Sequence, residues 1–593
     1  MAIQDRVLAA DEHWGEYAAD EWSDAIVAAM KLGGVENLYF TSGTEIAFHQ
    51  ESIVRARTRG WPTPRLISVP HEGVALNAAM GEAMVAGRPT ATAAHVDVGT
   101  LNYGAGIHTA WRGPYPVLMT AGTGPRAFPG TMPGGRNNLV QWVQEPRDQG
   151  EILRQYTKAD HRLEYQDNPG LIVSRLLQLA MTEPKGPVYL SLPREMAMQQ
   201  FQGGRTRFPT VSDLGIARPA WPDPADAKKI AEWLIKADNP GIYPGKTGRN
   251  PESVEELVRL AELLAVPVMD AGRCDRMNFP TDHPLYGTGP LPKDADALLF
   301  LETPTPYMPP DGSPRPGAKV AWVDVDPIQS RYKTMEYRAD MWLPVSASCA
   351  LRAIYDAATS MLTQSDMSRI ADRRARLEQR KREMEAGAEQ RALDAGKRER
   401  LHPRWVAYQL GKIMEPDTVF VDDTLSGSSM SSAYHRRTKA STFFSSGSSS
   451  GGWGIGASIG AKIASPNADV VLAVGDGFFM FGTPAIALWT AAHYKQPFLT
   501  VVFVNKSYST GTTNVTSLYP EGAVAETGDY EGGLFDPPPD FAKMAESCNC
   551  YGETVSEASQ VEAALRRGME QVRRGVPALI AADLPTLVEE QHL

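Results

Sequence analysis

The segment that decides the fold is residues 471–507, VLAVGDGFFMFGTPAIALWTAAHYKQPFLTVVFVNKS. It contains two apolar strands, Val471–Val474 and Phe498–Val504, which are separated by a Gly-Asp-Gly turn and a helical run. Strand, turn, helix and strand predict a right-handed βαβ unit, in which the carboxyl ends of the two parallel strands lie side by side. Because Asp476 lies in the turn and Asn505 follows the second strand, we expect both side chains at that edge of the sheet.

The residue types at this edge suit the binding of a diphosphate through a metal ion. A carboxylate, a side-chain amide and loop carbonyl groups are hard oxygen ligands, which is the set that suits Mg²⁺. Gly475 and Gly477 let phosphate oxygens approach the backbone, and the helix N-terminus adds N–H donors. The alternative is that Gly-Asp-Gly is only a strand-to-helix turn, since short motifs also match by chance.

The same residues resemble the diphosphate and magnesium motif of thiamine-diphosphate (ThDP) enzymes. The string ALWTAA at 487–492 is close to its counterpart in benzoylformate decarboxylases. The resemblance covers essentially the whole chain and implies the cofactors thiamine diphosphate and Mg²⁺. It also implies that the metal ligands are Asp476, Asn505 and the carbonyl oxygen of Ser507.

A glycine- and serine-rich part of the last third resembles the segment that contacts the diphosphate in this family. Ser426 opens a predicted helix and is the expected hydroxyl ligand. Family members have a bulky apolar residue that supports the bent cofactor where this chain has Gly451, next to Gly452; Trp453 is an alternative support. Phe478 stands where a serine is common, so only its backbone is expected to contact phosphate.

Strands and helices alternate through the first third of the chain, which predicts a doubly wound α/β domain. Val69-Pro70-His71-Glu72 places a carboxylate just after a buried strand, where an acid that favours the helix dipole is also common. ThDP enzymes have a glutamate at this place, which hydrogen-bonds the cofactor's aminopyrimidine and promotes deprotonation of its thiazolium carbon. The resemblance therefore implies that Glu72 is both a catalytic residue and a cofactor ligand.

Two further catalytic candidates follow from the resemblance. His95 lies where benzoylformate decarboxylases have an active-site histidine, and would exchange a proton with the bound intermediate. A hydrogen-bonded structural histidine at a strand end is the alternative. Thr44 falls where the family has a small hydroxyl residue near the substrate carboxylate. Asp97 could tune His95 or cap the next helix.

Composition and charge exclude several classes of function. The chain has 593 residues, 42% of them apolar and 22% charged, as expected for a globular protein of several domains. A formal net charge of −11 argues against a nucleic-acid partner. We see no apolar run of about 18 residues and no signal peptide, so we expect no membrane partner and a cytoplasmic location. The four cysteines indicate neither a disulfide framework nor a zinc site.

The predicted fold class is α/β, with three doubly wound parallel-sheet domains. The expected order is a pyrimidine-binding domain at 1–200, a middle domain at 201–360, a charged, solvated linker helix at 361–400 and a diphosphate-binding domain at 401–593. Residues 1–22 read as a loose arm and 202–224 as a linker. The Gly- and Pro-rich stretch 514–539 is expected to close over the substrate. No GxGxxG follows a strand in the middle domain, so bound FAD or ADP is not expected there.

The resemblance implies a ThDP-dependent lyase that acts as a 2-oxo-acid decarboxylase or carboligase. A 2-hydroxyacyl-CoA lyase uses the same cofactor and is the first alternative, so the substrate is a 2-oxo acid, an aldehyde or an acyl-CoA. A dinucleotide-dependent oxidoreductase, which would use Gly452-x-Gly454-x-Gly456, and a non-catalytic relative are the other readings.

Two features of the family bear on assembly and on the substrate. In this family, the two acids that correspond to Glu72 and Asp476 contact one cofactor from different subunits. A homodimer or homotetramer is therefore expected. The loop at 302–310 has no histidine where benzoylformate decarboxylases place a second one, so their substrate does not carry over directly.

Overall fold

The computed structural model describes residues 14–270, 274–310, 312–425, 430, 433–446 and 450–586. The strands are β1 Gly15–Ala18, β2 Asn37–Phe40, β3 Arg65–Ser68, β4 Thr90–Ala94, β5 Val117–Thr123, β6 Asp160–Arg162, β7 Val188–Pro193, β8 Arg205–Phe208, β9 Pro240–Pro244, β10 Val268–Asp270, β11 Tyr286–Thr288, β12 Ala297–Leu301, β13 Lys319–Asp324, β14 Met341–Pro344, β15 Val419–Asp423, β16 Phe443–Ser445, β17 Val470–Gly475, β18 Leu499–Val504, β19 Tyr551–Val555 and β20 Ala578–Asp583.

The α-helices among these residues, also numbered in chain order, are α1 Trp22–Leu32, α2 Ala47–Arg59, α3 Glu72–Ala86, α4 Val96–Leu101, α5 Gly104–Arg112, α6 Pro169–Met181, α7 Arg194–Ala197, α8 Val211–Leu214, α9 Pro224–Lys236, α10 Pro251–Leu264, α11 Ala347–Met361, α12 Gln364–Ala395, α13 Pro403–Ile413, α14 Gly454–Ala464, α15 Asp476–Phe481, α16 Pro484–His493, α17 Ser509–Leu518, α18 Ala523–Thr527, α19 Phe541–Ser547 and α20 Ala558–Arg573.

Three six-stranded sheets dominate the described part of the chain, and each is parallel throughout. Their strand orders are β3-β2-β4-β5-β7-β6, β11-β10-β9-β12-β13-β14 and β16-β15-β17-β18-β20-β19. In each sheet the chain builds outward on one side and then on the other, which is the doubly wound arrangement. The predicted α/β class with three such sheets is confirmed. Ligands in this architecture bind outside the carboxyl ends of the strands.

The sequence explains why these strands and helices form. Inner strands such as β5, β7 and β18 are buried along their whole length, as expected when helices cover both faces of a parallel sheet. Helix starts carry side-chain caps: Asn168 accepts a hydrogen bond from the amide of Leu171, and Thr363 with Asp366 forms a capping box. These local signals agree with the apolar pattern, so the helix positions are well specified.

The described residues form two compact units. The first comprises those of 1–218, 455–464 and 482–494, and the second those of 219–454, 465–481 and 495–593. The first unit contains the sheet β3–β7, and the second contains the other two large sheets. Within the first unit α14 packs closely on α3, because Gly456 and Gly460 leave room for the α3 backbone at Val74 and Ala78. The domain boundaries expected from the sequence stay a prediction.

The N-terminal arm and the first predicted linker differ from expectation where the structure describes them. β1 pairs antiparallel with β8, with Gly15 opposite Phe208 and Ala18 opposite Arg205. The ring of Tyr17 stacks on that of Phe208 with centroids 4.4 Å apart. Two segments that we expected to be loose therefore form a small sheet in the first unit, followed by the short helix α8.

We expected the charged helix α12 to be a solvated linker. It is instead packed against the rest of the second unit. Arg373 and Lys381 are buried although both lie in its polar run. The Arg373 guanidinium donates to the carbonyl oxygens of Ala237, Leu264 and Ala265, at the C-terminal ends of α9 and α10. A cation at these ends satisfies carbonyl groups that have no partner within their helices. The helix is therefore part of the second unit's core.

The chain after β17 forms three helices that the sequence did not suggest, α15, α17 and α18. Gly-Asp-Gly is more than a turn, because Asp476 begins the short helix α15. Thr483, with φ +56°, then allows the chain to start α16. The stretch expected as a closing loop is partly helical, with α17 and α18. In the part of the chain that is described, no helix is long and apolar enough to cross a membrane.

Candidate functional site

Asp476 and the segment Asn505–Ser507 meet at the carboxyl edge of the last sheet. β17 and β18 are neighbours, and Gly475 pairs with Phe503 at the ends of the two strands. The amide of Lys506 donates to Asp476 Oδ2 at 2.6 Å, and the amide of Gly477 donates to Asp476 Oδ1 at 2.8 Å. The structure therefore brings together the two residues that the βαβ prediction placed side by side.

The loop that carries Asn505 is held in one shape by its own polar groups. Asn505 Oδ1 accepts hydrogen bonds from the amide of Ser507 at 3.1 Å and from its hydroxyl at 3.3 Å. Asn505 Nδ2 donates to Ser509 Oγ at 2.9 Å. Lys506 has φ +59°, in the left-handed region, and its ammonium group pairs with Asp583 at 3.0 Å. This turn keeps the Asn505 amide group and the Ser507 backbone beside Asp476.

The chemistry of this edge fits a divalent cation. Asp476 is 1% exposed, and burial raises its pKa to about 6 against the opposing backbone hydrogen bonds of Lys506 and Gly477. A bound cation would offset the cost of burying this carboxylate. Clusters of three or more His, Cys, Asp or Glu suited to a metal are absent from the described residues, but the expected set needs only one carboxylate. Asp476, Asn505 and Ser507 would hold such an ion.

The glycine loop before α14 is clamped by an aspartate that we did not single out. Asp423, at the end of β15, accepts hydrogen bonds from the amides of Gly452 and Gly454, both at 2.9 Å. Gly452 has φ +81°, a conformation that favours glycine. A dinucleotide would bind its pyrophosphate at such a Gly-x-Gly turn, but here a carboxylate already accepts hydrogen bonds from both amides. This contact argues against a dinucleotide-dependent oxidoreductase. The only feature of the sequence that could have pointed to Asp423 is the pair of acids at 422–423, at the end of a strand.

Gly451 lies against Phe478. A Cβ at Gly451 would overlap the Phe478 ring, so the aromatic ring fills the space that a side chain at 451 would need. Trp453, the alternative support for the cofactor, is buried. Phe478 is therefore the bulky apolar group next to this loop. Ser426 lies outside the described residues.

Glu72 is the first residue of α3, in the first unit. Its carboxyl group is largely buried, and Oε2 accepts a hydrogen bond from Asn102 Nδ2 at 2.9 Å. The backbone of Gly99 approaches Oε1 so closely that a Cβ there would lie 2.8 Å from it. His71 caps the helix through Nδ1, which accepts from the amide of Gly73. The carboxyl group is thus fixed in orientation at a helix N-terminus after a strand end.

His95, Thr44 and a third residue form a hydrogen-bonded cluster in the same unit. Thr44 Oγ1 lies 3.5 Å from His95 Nε2. The carboxylate of Glu45 accepts from Thr44 Oγ1 at 2.6 Å and also contacts His95 Nε2. Asp97 does not take this place: it is half-buried, and its carboxyl group accepts a hydrogen bond from the amide of Val98. Nothing in the local sequence marked Glu45, because its partner is 50 residues away.

Two domain families match the chain. "Thiamine pyrophosphate enzyme, N-terminal TPP binding domain" matches residues 20–152, and "Thiamine pyrophosphate enzyme, C-terminal TPP binding domain" matches residues 426–582. The first match includes Glu72 and His95, and the second includes Asp476 and Asn505.

Curated proteins and solved structures agree with these matches. A benzoylformate decarboxylase of Pseudomonas aeruginosa is 26% identical over 537 residues, which cover 88% of this chain and 90% of that protein. A protein named as probable acetolactate synthase large subunit, from Methanocaldococcus jannaschii, is 24% identical and covers 92% of this chain and 89% of its own length. The benzoylformate decarboxylase structure from Polynucleobacter necessarius superposes with a TM-score of 0.75 at 17% identity, over 96% of this chain and 100% of that one.

The fold, the two domain matches and these full-length relatives lead to one conclusion: the chain belongs to the family of thiamine-pyrophosphate-dependent enzymes, and thiamine diphosphate is its cofactor.

Proposed function

We propose that the protein catalyses ThDP- and Mg²⁺-dependent cleavage or formation of a C–C bond next to a carbonyl group of a 2-oxo acid. The decarboxylase and carboligase relatives support this reaction class. The observation that carries the proposal is the meeting of Asp476 with Asn505–Ser507, because it assembles the oxygen ligands that a metal-bound diphosphate needs. When bound, ThDP supplies the carbanion and then stabilises the charge left by the broken bond.

The residues of the chain have separate tasks in this proposal. Glu72 exchanges a proton with the aminopyrimidine, and Asn102 keeps its carboxyl group in place. His95 donates or accepts a proton at the substrate, with Thr44 beside it. Asp423 shapes the glycine loop, and Phe478 with Gly451 forms its apolar side.

The remaining expectations stay predictions. A homodimer or homotetramer and a cytoplasmic location follow from the family resemblance and from the sequence. Ser426, Gly475 and Gly477 are proposed diphosphate contacts through hydroxyl and backbone N–H groups.

The reaction class is tested by measuring CO₂ release from a panel of 2-oxo acids, beside cleavage of 2-hydroxyacyl-CoA thioesters. Each assay is run with and without ThDP and Mg²⁺. We expect cofactor-dependent CO₂ release or carboligation from at least one 2-oxo acid. Cleavage of the thioesters alone would assign the chain to the 2-hydroxyacyl-CoA lyases and overturn the proposal. Activity that persists after complete removal of ThDP would also contradict it.

A further inference from the structure

Glu45 is a fully buried carboxylate with polar partners on both of its oxygens. It lies in the 3₁₀ turn Thr44–Ile46, which begins directly after Gly43 and is separated from the end of β2 by residues 41–43. Oε1 accepts from Gln141 Nε2 at 2.9 Å and lies 3.7 Å from the Arg194 guanidinium. Oε2 accepts from Thr44 Oγ1 and faces His95 Nε2. A side chain buried at this cost, with four polar partners, is built into the fold.

The electrostatics of this cluster keep Glu45 ionised. Burial alone would raise the pKa of Glu45, but the hydrogen bonds from His95, Thr44 and Gln141 outweigh it and lower the pKa to about 2. Among the residues that the structure describes, the basic side chains within 4 Å of the carboxylate are those of His95 and Arg194. Glu45 therefore presents a negative charge to the His95 ring over the whole range in which an enzyme works.

The backbone also restricts the His95 ring. A Cβ at Gly43 would overlap the His95 Cγ and Cδ2 atoms, so the glycine lets the ring lie against the main chain. Val96, the next residue, has φ +37°, which is strained for a β-branched side chain. Among the residues that the structure describes, His95 Nδ1 has no hydrogen-bond partner. One ring nitrogen faces the carboxylate, and the other is available to a ligand.

We propose that Glu45 is a positioning residue, which acts through His95 by holding the proton on Nε2 and leaving Nδ1 to exchange a proton with the substrate. The inference rests on the proposed function, in which His95 is the proton donor or acceptor. A carboxylate on one imidazole nitrogen fixes both the tautomer and the ring orientation, and stabilises the charged ring. The proton balance is simple: Nδ1 gains or loses one proton, and the Nε2 proton stays between His95 and Glu45.

The direct test is solid-state ¹⁵N NMR of the holoenzyme labelled at the histidine ring nitrogens, with the His95 signals assigned by their absence in His95→Asn. In the neutral ring of the wild type we expect the proton on Nε2. A neutral ring that carries its proton on Nδ1 would overturn the proposal. This measurement needs no variant of Glu45.

The variant test compares Glu45→Gln with Asp97→Asn, which removes a half-buried acid two positions from His95. In Glu45→Gln we expect kcat to fall about 10- to 100-fold with little change in KM. We also expect the alkaline limb of the kcat profile to move to lower pH, because the charged ring loses its partner. Asp97→Asn should match the wild type. Glu45→Asp, which keeps the charge, should recover part of the activity.

The outcomes separate this inference from the proposed function. Unchanged ring protonation and an unchanged pH profile in Glu45→Gln would overturn the role of Glu45, whatever reaction the enzyme catalyses. Full turnover in His95→Asn would instead show that His95 is not the proton-exchanging group, while the NMR result would still report whether Glu45 sets its tautomer.

Discussion

At the scale of single residues, the candidate site depends on contacts that no local pattern encodes. The positions of Glu72, Asp476 and Asn505 in the fold could be predicted, because each directly follows a strand or opens a helix. Glu45 and Asp423 could not, since their roles come from side chains that the fold brings near from distant positions. Such tertiary contacts require the strand order and the loop shapes, which one sequence does not supply.

The pair Gly451 and Phe478 gives a prediction at this scale. Gly451→Leu should weaken ThDP binding about tenfold or more, because its Cβ would overlap the Phe478 ring and force the loop or the ring to move. Calorimetric titration of ThDP into the cofactor-free protein measures the change. Combining Gly451→Leu with Phe478→Ser should restore binding, since the serine makes room for the leucine. Wild-type affinity in the single variant, or no recovery in the double variant, would contradict the account.

At the scale of elements, the long apolar strands and capped helices could be predicted, and the short polar ones could not. β12, with the sequence ALLFL, is apolar throughout, and α6 begins with an Asn-Pro cap before an apolar run. β1 and β8 are four residues each, partly exposed, and pair across almost 190 positions, so no local pattern marks them. The helix α17, STGTTNVTSL, is rich in residues with low helix propensity. Tertiary packing decides such elements.

The end of β15 predicts a pH effect on stability. Burial raises the pKa of Asp422 and of Asp423 from the ordinary 3.8 to about 7. At a pH between the two pKa values, the folded chain keeps protons that the unfolded chain has released. The free energy of unfolding should therefore fall as the pH rises from about 4 to about 7. Asp422→Asn removes one of these groups and keeps an oxygen that can accept from Thr424.

Thermal unfolding of the cofactor-free protein measures this effect. Relative to the wild type, Asp422→Asn should gain stability progressively between about pH 4 and about pH 7, by up to about 4 kcal/mol, because one pKa unit corresponds to about 1.4 kcal/mol. Asp417→Asn, which changes an exposed acid just before the same strand, should show a difference that is constant with pH. The prediction is wrong if the Asp422→Asn difference is equally constant.

At the scale of the whole molecule, we expect the holoenzyme to retain its cofactor through a metal ion. Asp476→Ala should abolish Mg²⁺-dependent retention of ThDP, because it removes the carboxylate of the proposed metal site. Thiamine content after gel filtration measures retention. The control is Asp583→Asn, which changes an acid at the same sheet edge that pairs with Lys506 and is outside the proposed ligand set. Equal thiamine content in Asp476→Ala and the wild type would count against the site.

The family and the fold were the most predictable properties of the molecule. Strands and helices alternate along the chain, which predicts the fold, and the βαβ segment at 471–507 carries the motif that resembles the family. The substrate was not predictable, because the motifs of the sequence point to the cofactor and to its metal ion and not to the molecule on which the cofactor acts. The central claim is therefore the activation of the cofactor by Glu72, which does not depend on the substrate.

Hydrogen–deuterium exchange at the thiazolium carbon of bound ThDP, followed by NMR after acid quench, tests that claim most directly. Glu72→Gln should bind ThDP as the wild type does, and its exchange should be about 100-fold slower or more, since the group that exchanges a proton with the aminopyrimidine is gone. Glu82→Gln, which alters a buried carboxylate in the same helix, should leave the exchange rate unchanged. An exchange rate in Glu72→Gln equal to that of the wild type, at equal cofactor content, would contradict the account.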